Sequence, residues 1–273
     1  MKKKNLVIFL VLSVCLASIT FFVFEKKTKQ DIDTFEQKGV SWEKENIEMK
    51  KEENKLEEKP LVPEENIIIK KTDNIISGVP FVLQAPFANW DDPVFQDACE
   101  EAAILMTKGW LEGKTFSTQQ MYDEIKKIVD LEKEILNEYV DASAEDTALI
   151  LKKYSKYEKI NVVKNITKDD LKQEILKGNL VILPTNGQKL DNPYYVAPGP
   201  ITHMIVLVGY DSSKKEFVVN DSGTKRGENY RYDETVLFDA IGNYPTGNHN
   251  KNPFSENDRG KDMIVIEPKN ENK

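Results

Sequence analysis

The hydrophobic and polar positions divide the chain into three stretches. Lys2, Lys3 and Lys4 precede an uncharged, mostly apolar run from Leu6 to Phe24, about 19 residues long. A helix needs ~20 residues to cross the hydrocarbon core of a bilayer, whereas a secretory apolar region spans roughly 7–15. The end of the run, Ile19-Thr20-Phe21-Phe22-Val23-Phe24, offers no small residues for cleavage, and Ala17-Ser18 is a poor match. The pattern predicts an uncleaved signal anchor over 6–24, with residues 1–5 cytoplasmic. The alternative is a cleaved signal peptide and a secreted product. Lys26, Lys27 and Lys29 leave only a slight charge bias across the run, and N-terminus-in is the usual outcome for such a segment. Cys15 follows Val14 rather than a small residue, so it reads as apolar filler facing lipid, not as a lipid attachment site.

From 25 to 75, Lys and Glu dominate, most densely in EKENIEMKKEENKLEEKP, with Pro60 and Pro63 as interruptions. Such a stretch cannot bury enough apolar surface to offset the entropy of ordering it. It predicts a charged flexible linker, either a spacer that holds a domain off the membrane or solvated filler.

Residues 76–268 have globular patterning, and 269–273 form a polar tail. Val79–Leu83 is a short apolar run that predicts a strand or extended segment. Residues 85–96 carry turn chemistry and predict a loop. Apolar residues at Cys99, Ala102, Ala103, Leu105, Met106 and Trp110 predict a helix that starts near Asp97 or Ala98 and stops at Gly113. Ser117, Ser143 and Thr167 sit where N-caps belong, ahead of helices through Met121–Leu131, Ala148–Tyr154 and Leu171–Lys177. Strands are predicted at Val162–Val163, Leu180–Leu183, Met204–Val208, Glu216–Val219 and Met263–Ile266, and a helix over Asp233–Ile241. The third and fourth of these strands, joined by Ser-Ser-Lys-Lys, read as a hairpin. Helices first and antiparallel strands second make an α+β pattern.

Composition narrows the chemistry. With 38 basic and 46 acidic residues the net charge is −8, which argues against a nucleic-acid partner, since phosphate binding needs a basic face. Two cysteines and two histidines in 273 residues leave no disulfide framework and almost no scope for a His- or Cys-based metal site. No cofactor is implied.

The few candidates stand at telling places. Cys99 opens a helix, where free N–H groups and the helix dipole favour a thiolate and supply an oxyanion donor. His203 begins the buried strand His203-Met-Ile-Val-Leu-Val-Gly209, a rigid mount for a general base. Asn220-Asp221 ends the second strand of the hairpin, which brings it beside His203, where a carboxylate can fix the tautomer of the imidazole. Gln84 precedes Cys99 at the end of the first extended segment and is the candidate second oxyanion donor, with Gln96 as its rival. Taken singly, each has an ordinary reading: a small buried hydrophobe, a satisfied core histidine, a turn, polar loop residues. His249, in Gly-Asn-His-Asn, reads as a surface residue.

Together, Val79-Pro80-Phe81-Val82-Leu83-Gln84, Cys99-Glu100-Glu101-Ala102, His203–Asp211 and Asn220-Asp221 resemble the C39-like family of papain-fold cysteine peptidases. The subgroup with Gln-Ala-Pro-Phe, Asn-Trp and Cys-Glu-Glu-Ala is matched by Gln84–Phe87, Asn89-Trp90 and Cys99–Ala102. The resemblance covers roughly Gly78 to Ile241. It implies Cys99 as nucleophile, His203 as base and acid, Asp221 as orienting group and Gln84 in the oxyanion hole. Two features depart from the family: Ser222 stands where proline often follows the aspartate, and the Gln84–Cys99 loop is longer than in the bacteriocin-processing branch. That loop, with Trp90, and the segment Pro193–Pro200 are expected to wall the cleft. The predicted outward topology does not carry over the leader-peptidase role of that branch.

The sequence thus predicts a membrane-anchored, outward-facing cysteine hydrolase acting on peptide or cell-wall peptide substrates. The rivals are a cell-wall amidase or acyl-transferase on the same fold, and an inactive binding module that keeps the fold.

Overall fold

The computed structural model describes residues 74–247, 253–254 and 260–269. The predicted anchor, the linker up to residue 73, His249 and the last four residues lie outside the described residues. Among the described residues no helix is long and apolar enough to cross a membrane.

The elements in chain order are β1 (Asn74–Ile75), α1 (Pro93–Gln96), α2 (Cys99–Glu112), α3 (Thr118–Leu136), α4 (Ala144–Ser155), β2 (Ile160–Val163), α5 (Lys168–Leu176) and β3 (Leu180–Thr185). There follow a 3-10 turn (Gly187–Leu190), β4 (His203–Asp211), β5 (Glu216–Asn220), β6 (Tyr230–Asp233), α6 (Glu234–Ala240) and β7 (Met263–Ile266). All strand pairs are antiparallel, in the order β2-β7-β3-β4-β5-β6, with β1 pairing the far end of β4. This is the α+β architecture expected from the sequence.

Local chemistry sets the helix ends. The Ser117 hydroxyl accepts the Gln120 N–H while the Gln120 side chain accepts the Ser117 N–H, and Thr167 and Asp170 do the same for α5. Each reciprocal pair satisfies two donors that helix geometry leaves orphaned. Gly113, at φ 62°, closes α2 in the left-handed conformation.

The apolar strands are buried on both faces, because successive side chains of a strand point to opposite sides. Met204, Val206 and Val208 of β4, with Leu180 and Ile182 of β3, join the core under α2, α3 and α4. Ile205 and Leu207, with Val181 and Leu183, join a second core under α5 and α6. Two packed faces explain why these strands read as continuous apolar runs rather than alternating ones.

Several details differ from the sequence expectation. Asn74 and Ile75, at the predicted end of the linker, pair with Tyr210 and Gly209. Val79–Leu83 joins no ladder. The predicted loop 85–96 holds the short helix α1, capped by the Asp92 carboxylate on Val94 N–H (3.0 Å) with Pro93 at its first position. The helix α3 runs on to Leu136. The strand β6 and the 3-10 turn were not foreseen.

Candidate active site

Helix α2 begins at Cys99, directly after the α1 turn. Gln84 anchors that turn. Its Nε2 donates to the carbonyls of Gln96 (2.9 Å) and Phe95 (3.3 Å), its Oε1 accepts from Ser222 Oγ (3.5 Å), and its backbone N–H donates to Ser222 O (3.2 Å). Ser222, in the place of the expected proline, therefore ties the loop after Asp221 to the segment before Cys99. The rival Gln96 donates to Trp90 O (2.7 Å) and so shapes the same loop. The expectation for Gln84 needs correction on one point: it lines the cleft beside Cys99, but both of its amide hydrogens have protein acceptors. Its visible role is to hold the Cys99 turn.

His203 and Asp221 meet as the hairpin register requires, with Val206 opposite Asn220. His203 Nε2 lies 2.8 Å from Asp221 Oδ1. Both residues are buried, Asp221 completely. The carboxylate gathers four more donors: Gly223 N–H on Oδ1 (3.1 Å), and Tyr195 OH (2.6 Å), Tyr232 OH (2.8 Å) and Asn192 Nδ2 (3.2 Å) on Oδ2. Burial alone would raise the pKa of Asp221. The adjacent His203 and the hydroxyl donors outweigh it and hold the carboxyl below its ordinary value.

Two glycines permit this packing. A Cβ on Gly227 would sit 1.8 Å from Asp221 O, so only glycine closes the loop that ends on Asp221. A Cβ on Gly223 would lie 3.1 Å from His203 Cε1 and 3.2 Å from Tyr195 Cε1. The imidazole is thus held between the Gly223 backbone and the edge-on ring of Tyr195.

Cys99 is 3% exposed. Its Sγ accepts the Met204 N–H (3.3 Å), which places the sulfur next to the residue that follows His203. The thiol donates to Glu100 Oε2 (2.9 Å), and among the described residues no hydrogen bond joins Cys99 to His203. The expectation of a thiol pushed toward thiolate by its helix N-terminus is reversed here. Burial, then the Glu100 charge and hydrogen bond, then Asp141 push the thiol well up, against the Met204 N–H, which lowers it. Glu100 is itself buried, and its Oε1 accepts from Tyr244 OH (2.6 Å).

Cys99 and His203 open into a cleft of about 830 Å³. Trp90, Gln96 and Asp97 line one side and Tyr194 to Val196 with Gly199 to Thr202 line another, the two walls expected from the sequence. A third, unforeseen wall runs from Gly223 to Arg226, where Arg226 stacks on Tyr194 at 4.6 Å from its ring centre. Among the described residues no group of three or more His, Cys, Asp or Glu side chains is arranged to hold a metal ion.

Comparison with known families settles the kinship. The sequence profile of the Peptidase_C39 like family matches residues 76–246, well over half of the chain. The chain belongs to the Peptidase_C39 like family. The matched stretch contains Gln84, Cys99, Glu100, His203 and Asp221, and leaves the last strand, β7, outside it. Among solved structures, the chain is similar to one described as "Crystal structure of an putative C39-like peptidase from Bacillus anthracis", at 17% identity and a TM-score of 0.41, covering 72% of this chain and 98% of that one. A search of curated proteins gives no significant match.

Sequence reasoning missed the partners that frame this family member's site. Asn192, Tyr195 and Tyr232 around Asp221, and Glu100 and Tyr244 beside Cys99, are ordinary residue types at distant positions, with no motif to single them out. Tyr195 alone was signalled, by its place in the predicted cleft wall.

Proposed function

We propose that this protein is a cysteine hydrolase that cleaves peptide or amide bonds, with Cys99 as nucleophile, His203 as base and acid, and Asp221 as the group that orients His203. The observation that carries this reading is the buried His203–Asp221 pair, fixed by five donors on the carboxylate, whose His203 lines the same cleft as a cysteine at a helix N-terminus. With Nε2 committed to Asp221, Nδ1 is the imidazole nitrogen left to take the thiol proton. The sulfur attacks the carbonyl carbon, and the negative charge moves to the carbonyl oxygen. The free N–H of Cys99, at the first residue of α2, is the donor best placed for that oxygen. His203 then protonates the leaving amine as the C–N bond breaks, and an acyl-enzyme remains on Cys99. His203 takes a proton from water, the hydroxyl adds to the thioester carbonyl, and the acid departs as the thiol is reprotonated. In such sites catalytic hydrogen bonds are often long or misaligned in the free enzyme and form or tighten only when substrate binds. The expected setting is outside the membrane, tethered through residues 6–24, with cell-wall peptides as the substrate within reach.

The inactive binding module remains the second reading, and two observations favour it: the thiol is bonded to Glu100 rather than His203, and the amide hydrogens of Gln84 are both engaged. Incubation with p-nitrophenyl acetate separates the two. A hydrolase gains one acetyl group on Cys99, seen by intact mass, and loses it again on standing, while the His203→Ala protein forms the adduct slowly and keeps it. Absence of any adduct in the wild-type protein sinks the hydrolase reading.

A further inference from the structure

We infer that Glu100 is a fourth catalytic group, a proton-controlled latch that either holds the Cys99 thiol neutral or donates a hydrogen bond to its thiolate. The inference rests on the reading of Cys99 as nucleophile given above. Its basis is geometric. Glu100 is 2% exposed and follows the nucleophile directly on the first turn of α2. Acidic residues there ordinarily complement the helix dipole from the surface. Here the carboxyl is turned inward, with Oε2 on the sulfur at 2.9 Å and Oε1 on Tyr244 OH at 2.6 Å. Burying a carboxylate is costly unless it is paired and hydrogen-bonded, and among the described residues no basic side chain is hydrogen-bonded to Glu100.

The groups that act on Glu100 from neighbouring elements are Cys99 on its own helix, Asp141 before α4 and Tyr244 after α6. Tyr139 and Glu101 in turn feel its charge, and His203 lines the same cleft as Cys99. Burial, with Asp141 adding to it, raises Glu100 to about 8, against the hydrogen bonds from Cys99 and Tyr244 that favour the carboxylate. Two states follow. With Glu100 ionised, the S–H proton is held between sulfur and carboxylate, and the adjacent negative charge opposes thiolate formation. With Glu100 protonated, its O–H is the donor, the sulfur accepts from it and from Met204 N–H, and the thiol proton passes to His203. One proton on Glu100 thus decides whether the Cys99–His203 transfer is assisted or blocked.

The test is the pH dependence of the acylation rate with p-nitrophenyl acetate, measured on the full chain as wild type, E100Q, Tyr244→Phe and His203→Ala. For a group at about 8 the protonated fraction falls about tenfold between pH 7 and pH 9, so the wild-type rate carries an alkaline limb of that size. Glutamine donates N–H at every pH, so E100Q lacks the limb and its rate does not fall through pH 9. Tyr244→Phe removes a donor to the carboxylate and moves the limb to higher pH, which decides the matter if E100Q does not fold. A merely structural Glu100 would lower the rate without moving the limb. An E100Q profile parallel to wild type overturns the inference while the His203 dependence still stands. A His203→Ala profile identical to wild type overturns the hydrolase reading, and the latch with it.

Discussion

Replacing Asp221 with asparagine keeps the shape of the side chain and removes its charge. Five donors converge on the carboxylate, two on Oδ1 and three on Oδ2. An amide offers one acceptor oxygen and an NH₂. With the NH₂ at the Oδ2 position, the Tyr195 and Tyr232 hydroxyls can turn to accept from it, but Asn192 Nδ2 then faces another donor. With the NH₂ at Oδ1, it opposes Gly223 N–H and forces His203 into the other tautomer. In either arrangement at least one buried donor loses its partner and the charge assistance to the rest disappears. Hydrogen bonds to charged groups contribute about 1.5–3 kcal/mol each, and an unsatisfied buried group costs about 1–3 kcal/mol. Relief of the desolvation of a buried carboxylate offsets part of this. The expected net loss is about 2–4 kcal/mol at pH 7, read as the urea midpoint by far-UV circular dichroism. For a slope near 2 kcal/mol/M the midpoint falls by about 1–2 M. Because the carboxyl is held below its unfolded value of ~3.9, its contribution is present at all pH above that value and is lost as pH falls through the folded pKa. The gap between the two proteins should therefore be flat from pH 5 to 8 and shrink below pH 4. Equal midpoints at pH 7, or a gap that persists unchanged at pH 3, would refute the account of this carboxylate.

Three further outcomes follow from the same geometry. Gly223→Ala places a methyl 3.1 Å from His203 Cε1, so the imidazole must shift by a few tenths of an ångström; since a 1 Å misplacement can cost ~10²-fold, acylation of Cys99 should slow about 3–10-fold with little change in the urea midpoint. Gln84→Ala removes the donor to two carbonyls of the Cys99 turn and should cost about 1–3 kcal/mol in the same unfolding measurement. Glu101 and Glu132 meet carboxyl to carboxyl between α2 and α3, Glu101 well above its ordinary value through burial and then through Glu132, and Val140 N–H occupies one oxygen of Glu132. Since a raised carboxyl stabilises the fold when protonated and loses that contribution as pH rises above its unfolded value of ~4.3, Glu101→Gln should match or exceed the wild-type urea midpoint at pH 8.5 and fall behind it only at acid pH; a deficit that grows with pH contradicts a raised Glu101 carboxyl.

What the sequence made legible was local. Ser117 and Thr167 announced their helices because a capping side chain acts on neighbours three residues away. The run Met204–Val208 announced a buried strand because two packed faces leave no polar positions, and its hairpin with Glu216–Val219 followed from a four-residue turn. From that hairpin alone, Asp221 lands beside His203. Strand β6 was hidden because Tyr230-Arg231-Tyr232-Asp233 is short and half charged; it is held by pairing with β5, which no local pattern reveals. The environment of Cys99 was misjudged for a related reason. A helix N-terminus is visible in sequence, but the inward turn of Glu100 depends on Tyr244, 144 residues away. Gln84 was found in its place, yet whether its amide faces the cleft or the carbonyls of 95 and 96 is decided by a loop conformation that includes the unforeseen helix α1.

The central claim is that Cys99 and His203 share a proton. The most direct measurement is the rate of Cys99 alkylation by iodoacetamide from pH 5 to 9, in wild type and His203→Ala. With Glu100 protonated, the thiol proton passes to His203, so reactivity should persist below the ~8.5 of a free thiol on the acid side of the Glu100 titration and be lost in His203→Ala. A slow rate that rises only as an ordinary thiol ionises, and that is unchanged when the imidazole is removed, would contradict it.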